Sequence, residues 1–65
     1  MYKVIIKEGI NKQERICNSL LDANNYLIEK ASQLGIHYGW DDDGLAYAHD
    51  EWDGPCSTRI EIEQL

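Results

Sequence analysis

The sequence predicts an α+β fold in which one helix covers one face of a small sheet, and three observations carry that prediction. An apolar repeat at helical spacing runs from Leu20 to Leu34, between a serine that can cap it and a glycine that can stop it. The first segment, Tyr2–Lys7, and the last, Thr58–Gln64, both alternate with period two. Fifteen residues make about 22 Å of helix, and strands of six or seven residues at about 3.3 Å each have the same length. One helix is therefore enough for one sheet face. The 65 residues predict a single domain, 1–65, with a thin core.

In order along the chain, Tyr2, Val4 and Ile6 fall on one face of the first strand, with Lys3, Ile5 and Lys7 on the other. Glu8–Lys12 supplies the Gly and Asn of a hairpin connection. Gln13–Asn18 then pairs back; Ile16 suits the core, although Glu14 and Asn18 share its face. Ser19 opens the helix, with Asp22 at the acid position of a capping box. Its apolar side is Leu20, Ala23, Leu27, Ala31 and Leu34, flanked by Leu21 and Ile28, and Gly35 ends it. Ile36–Trp40 and Leu45–His49 read as short strands around Asp41-Asp42-Asp43-Gly44, and Trp52–Pro55 as a further turn. In the last strand Ile60 and Ile62 face the core while Arg59, Glu61 and Glu63 face out. Beside the first strand, Lys3 and Lys7 would offset two of those acids.

The order is hairpin, helix, strand or hairpin, strand. YKVIIK, DANNYLIEKASQLG and GWDDDG stand where the first strand, the helix and a tryptophan-bearing third strand fall in β-grasp domains of the bacterial immunoglobulin-binding, protein G-like type, which the chain resembles in pattern. The resemblance implies a ββαββ arrangement on a mixed four-stranded sheet, with the first and last strands parallel. It transfers no binding residue, and Leu45–Cys56 has no counterpart in it.

Charge is distributed unevenly. Residues 1–35 carry five basic and four acidic side chains, a net of +1, whereas residues 36–65 carry one basic and eight acidic, a net of −7. Such a field repels nucleic acid and anionic membranes and favours encounter with a basic protein surface. No apolar run is long enough for a signal peptide or membrane helix, which predicts a cytoplasmic protein with both Cys17 and Cys56 reduced.

Several chemical readings fail on spacing. A calcium loop with Gly44 at its sixth position would begin at Gly39, where an acid is required. Cys17, His37, His49 and Cys56 lack the close pairs of a zinc site. His49, Asp50, Glu51 and Cys56 do not form a recognisable nucleophile–base motif, and no phosphate loop or other cofactor motif is present. The sequence therefore predicts no enzyme and no cofactor.

What stands out is Tyr38–Asp53, which holds both tryptophans and no lysine or arginine. Trp40 and Tyr47 are expected to fill the core of a chain without phenylalanine. Trp52, among Asp50, Glu51 and Asp53, reads as either an interface anchor or a solvent-facing ring. The predicted function is a small acidic protein-binding module that occupies a basic, nucleic-acid-binding surface of a partner through Asp41, Asp42, Asp43, Asp50, Glu51, Trp52 and Asp53. Nucleic-acid mimicry is its specific form. In size, acidity and lack of catalytic motifs the chain resembles phage-encoded inhibitors, anti-CRISPR proteins among them, which would place it in a host cytoplasm. The alternatives are a module holding a divalent cation at Asp41, Asp43 and Asp50, or another small ligand, and a structural subunit or antitoxin of an obligate complex.

Overall fold

The computed structural model describes residues 1–50 and 57–65. Its elements are β1 (Tyr2–Glu8), β2 (Asn11–Cys17), α1 (Leu20–Leu34), β3 (His37–Trp40), β4 (Ala46–His49) and β5 (Thr58–Gln64). The strands form one five-stranded sheet in the order β2-β1-β5-β4-β3, with every pairing antiparallel. The expected four-stranded mixed sheet with parallel first and last strands is thereby overturned. The cause is a matter of strand parity. The segment after the helix makes a complete hairpin, β3–β4, before β5 begins, and each added strand reverses the chain direction. β5 consequently enters the centre of the sheet antiparallel to β1, with Val4 opposite Ile62 and Ile6 opposite Ile60.

The first hairpin turns through two residues, Gly9 and Ile10, with Glu8 opposite Asn11. Gly9 has φ 60, the positive value that a tight hairpin of this kind needs at its first central position. This turn sets the register of β2 and corrects the expectation for Ile16. Ile16 lies opposite Lys3, on the face away from the helix, and is 48% exposed. Cys17, opposite Tyr2, takes the core position and is buried as a free thiol.

The helix occupies the predicted span. Ser19 caps it by accepting the Asp22 N–H at 3.1 Å. Gly35 closes it at φ 71, with its N–H directed to the Ser32 carbonyl and that of Ile36 to the Ala31 carbonyl. This double closure needs a left-handed residue at position 35. Only the middle of the apolar stripe is fully buried: Ala23, Leu27 and Ala31. Leu21 and Leu34 at its ends are exposed.

The core lies between this stripe and the inward residues of the central strands, namely Val4 and Ile6 of β1, Ile60 of β5 and Ala46 and Ala48 of β4. Alanines on both sides, Ala23 and Ala31 above and Ala46 and Ala48 below, allow the helix to settle close to β4. Among the described residues no helix is long and apolar enough to cross a membrane.

Candidate protein-interaction surface

The Asp41–Asp43 turn is held by one of its own acids. The Asp41 carboxylate accepts the backbone N–H groups of Asp43 and Leu45, each at 2.9 Å. The Asp41 N–H donates to the Leu45 carbonyl, and Gly44, at φ 80, donates to the Asp41 carbonyl. Asp41 is therefore spent on shaping the turn. Asp42 and Asp43 are exposed, and among the described residues their carboxylates engage no hydrogen bond or ion pair.

A helix residue then fixes this turn to the rest of the fold. Asn24 donates its side-chain amide to the Gly44 carbonyl at 3.0 Å and accepts the Ala46 N–H at 2.9 Å. Both ends of one amide are satisfied by backbone from the turn, which ties the acid tip to α1. Sequence reasoning passed over Asn24. The available signal was a polar residue on the shoulder of the apolar stripe, four positions from both Leu20 and Ile28.

The second feature of the surface is aromatic. Trp40 lies opposite Ala46 and Tyr38 opposite Ala48, so both rings point to the helix-bearing face of β3. They meet edge to face, with centroids 5.7 Å apart. β3 is an edge strand outside the close helix–β4 contact, and the rings remain 53% and 45% exposed. The expected burial of Trp40 is corrected: Ala46 and Ala48 of β4 hold the inner positions beneath the helix, and Trp40 lies one strand further out, on the sheet edge. Tyr47 is not in the core either. It lies on the opposite, open face, stacked with His49 at 6.1 Å. A Cβ on Gly39 would come 3.0 Å from the Tyr47 hydroxyl, so position 39 has little room for a side chain.

Among the described acids of the predicted surface, Asp41–Asp43 and Asp50 stand at opposite ends of β4. Asp41–Asp43 precede β4 and Asp50 follows it, so the length of that strand, about 13 Å, separates them. A cation held jointly by Asp41, Asp43 and Asp50 has no geometric basis. Glu51, Trp52, Asp53 and Cys56 lie outside the described residues. Cys17 sits on β2, at the far side of the sheet from His37 and His49, which face each other across β3 and β4. Among the described residues no three His, Cys, Asp or Glu side chains converge as metal ligands.

The open face carries most of the basic charge. Directly paired positions Lys12, Lys7, Arg59, His49 and His37 form one row across all five strands. The neighbouring acids offset it: Glu61 bridges Lys7 at 3.9 Å and Arg59 at 3.6 Å, and Glu14 bridges Lys12 at 3.6 Å and Lys3 at 3.8 Å. The expected neutralisation of Glu61 by lysine is present, while Lys3 turns to Glu14.

The fold and this surface define a class: a small α+β protein with one helix on a five-stranded antiparallel sheet, carrying a hydrogen-bonded acidic tip beside an exposed aromatic pair. No protein-family model, curated protein or solved structure matches the chain significantly.

Proposed function

We propose that the protein is a non-enzymatic binding module whose β3 edge and following turn dock onto a basic surface of another protein. The observation that carries this reading is the half-exposed Tyr38–Trp40 pair on an edge strand that leads directly into Asp42 and Asp43. Aromatic rings supply buried area at interfaces, and adjacent carboxylates speed encounter and select a positively charged partner. Among the described residues β3 is the outermost strand of the sheet, and an outer strand is a surface along which an extended partner segment can lie. Trp40 is the described anchor in this reading, and Asp41 acts by shaping the turn.

A basic partner surface is commonly one that binds nucleic acid, and inhibition by mimicry is the form of this function in which the module displaces that nucleic acid. The test is affinity capture from the native host with wild type, Trp40→Ala and Asp42→Asn/Asp43→Asn, at low and moderate salt. The reading predicts a partner that both variants lose or retain poorly, with capture weakening as salt rises. Release by added DNA or RNA identifies mimicry. Equal recovery by all three proteins refutes the surface.

A further inference from the structure

A second, separate feature lies on the other side of the helix. β2 is the edge strand opposite β3; α1 covers its Cys17 end but leaves Gln13 and Arg15 exposed, although both point to the helix-bearing face. Between β2 and the helix runs an open groove of about 510 Å³, lined in part by Arg15, Tyr26, Lys30, Asn18 and Asn25. The Arg15 guanidinium lies over the Tyr26 ring, 4.5 Å from its centroid, and the Lys30 ammonium approaches the same ring at 5.6 Å. The chain has six lysines and arginines. Lys3, Lys7, Lys12 and Arg59 are each bridged to a glutamate. Among the described residues, Arg15 and Lys30 make no ion pair, and they are the two that converge on Tyr26.

From this convergence we infer that the groove binds a small organic oxyanion, a phosphate monoester or a carboxylate, with Arg15 and Lys30 as its charge partners. Among the described residues no hydrogen bond or ion pair takes up the Arg15 guanidinium N–H groups, and the edge of a guanidinium matches two oxygens of one anionic group. Lys30 adds a point charge one helical turn beyond Tyr26, on the wall of the same groove, and the electron-rich ring face is favourable for each cation. Glu29 and Asp22 also line the groove. Glu29 accepts from Gln33 at 3.5 Å, and the Asp22 backbone is taken up in the helix cap. Their presence selects against a ligand that is anionic throughout. It favours a single anionic head on a neutral, hydroxylated body, for which the Asn18 and Asn25 amides are suitable partners.

The experiment is a titration of the full chain followed by amide and Arg side-chain NMR. The probes are glucose 6-phosphate, gluconate and inorganic phosphate, with glucose as the uncharged control. The expected result is saturable shifts centred on residues 15–18 and 25–30 with at least one anionic probe and none with glucose. Gluconate and glucose 6-phosphate separate the carboxylate from the phosphate ligand. Arg15→Gln and Lys30→Gln, both substitutions of solvent-accessible charges, should each weaken binding by about tenfold, on the order of one charge-assisted hydrogen bond. Lys7→Gln removes the same charge from the open face and should leave affinity unchanged. The inference is overturned if no anionic probe saturates, if glucose binds equally, or if Lys7→Gln weakens binding as much as Arg15→Gln.

Discussion

Replacing Asn24 with alanine tests how the acidic tip is held. The substitution removes both side-chain hydrogen bonds between α1 and the β3–β4 turn, at 3.0 and 2.9 Å. Two neutral hydrogen bonds contribute about 1–3 kcal/mol together. The Ala46 position is buried, so its N–H loses its partner away from water, which moves the cost to about 2–3 kcal/mol. For a domain of this size that corresponds to a fall in Tm of roughly 10–20 °C, and to a large share of a total stability of about 3–10 kcal/mol. Alanine is the better helix former, so helix propensity works against the loss and cannot cause it. Asn24→Asp is no rescue: it keeps an acceptor for Ala46 but sets a carboxylate against the Gly44 carbonyl. The assay is urea and thermal unfolding followed by circular dichroism, with Asn25→Ala on the exposed side of the helix as the control. Amide exchange at Ala46 should accelerate in Asn24→Ala alone. Equal stability of Asn24→Ala and Asn25→Ala would refute the clamp.

Four further outcomes follow from the same geometry. Asp41→Ala, which strips two backbone N–H groups of their acceptor, should cost about 1–3 kcal/mol, whereas Asp42→Asn and Asp43→Asn should stay within about 0.5 kcal/mol; urea midpoints separate them. Gly35→Ala forces a side chain into the left-handed region with open space around it, so its cost, about 1–2 kcal/mol, should be conformational and readable as a lowered Tm with an unchanged spectrum. Glu61→Gln leaves Lys7 and Arg59 directly opposite each other without their shared carboxylate. It should destabilise by at most about 1 kcal/mol, and added salt should shrink the difference. Leu27→Ala, which truncates one of the large, fully buried side chains among the described residues, should cost about 2–5 kcal/mol, enough to leave a substantial unfolded population by circular dichroism at moderate temperature.

Local signals were legible where one residue decides one feature. Ser19 and Gly35 bound the helix, and the alternation in β1 and β5 identifies their inward faces, because both rest on the chain's immediate periodicity. Strand direction was not legible in the same way. It depends on whether residues 36–50 form one strand or two, and that parity inverts β5 relative to β1. The facing of Ile16 hangs on the two-residue turn at Gly9-Ile10; a connection longer by one residue would flip every side chain of β2. Trp40 was expected inside because of its size. Burial at that end of the sheet instead follows strand order: β4, with Ala46 and Ala48, lies beneath the helix, and β3 lies outside it. Of the proposed site, Asp41–Asp43 were visible as a charged run, but the division into one structural and two outward carboxylates is a matter of hydrogen bonding. The Arg15–Tyr26–Lys30 cluster required β2 and α1 to be placed side by side.

The most direct test of the proposed interface is the binding kinetics of the captured partner with wild type, Trp40→Ala and Asp42→Asn/Asp43→Asn, at two salt concentrations. Loss of the aspartates should lower the association rate, with the difference fading as salt screens the encounter. Loss of the ring should raise the dissociation rate at both salts, costing about 2 kcal/mol or more in affinity, as an interface anchor does. Wild-type dissociation by Trp40→Ala at both salts would contradict the β3 edge as the docking surface.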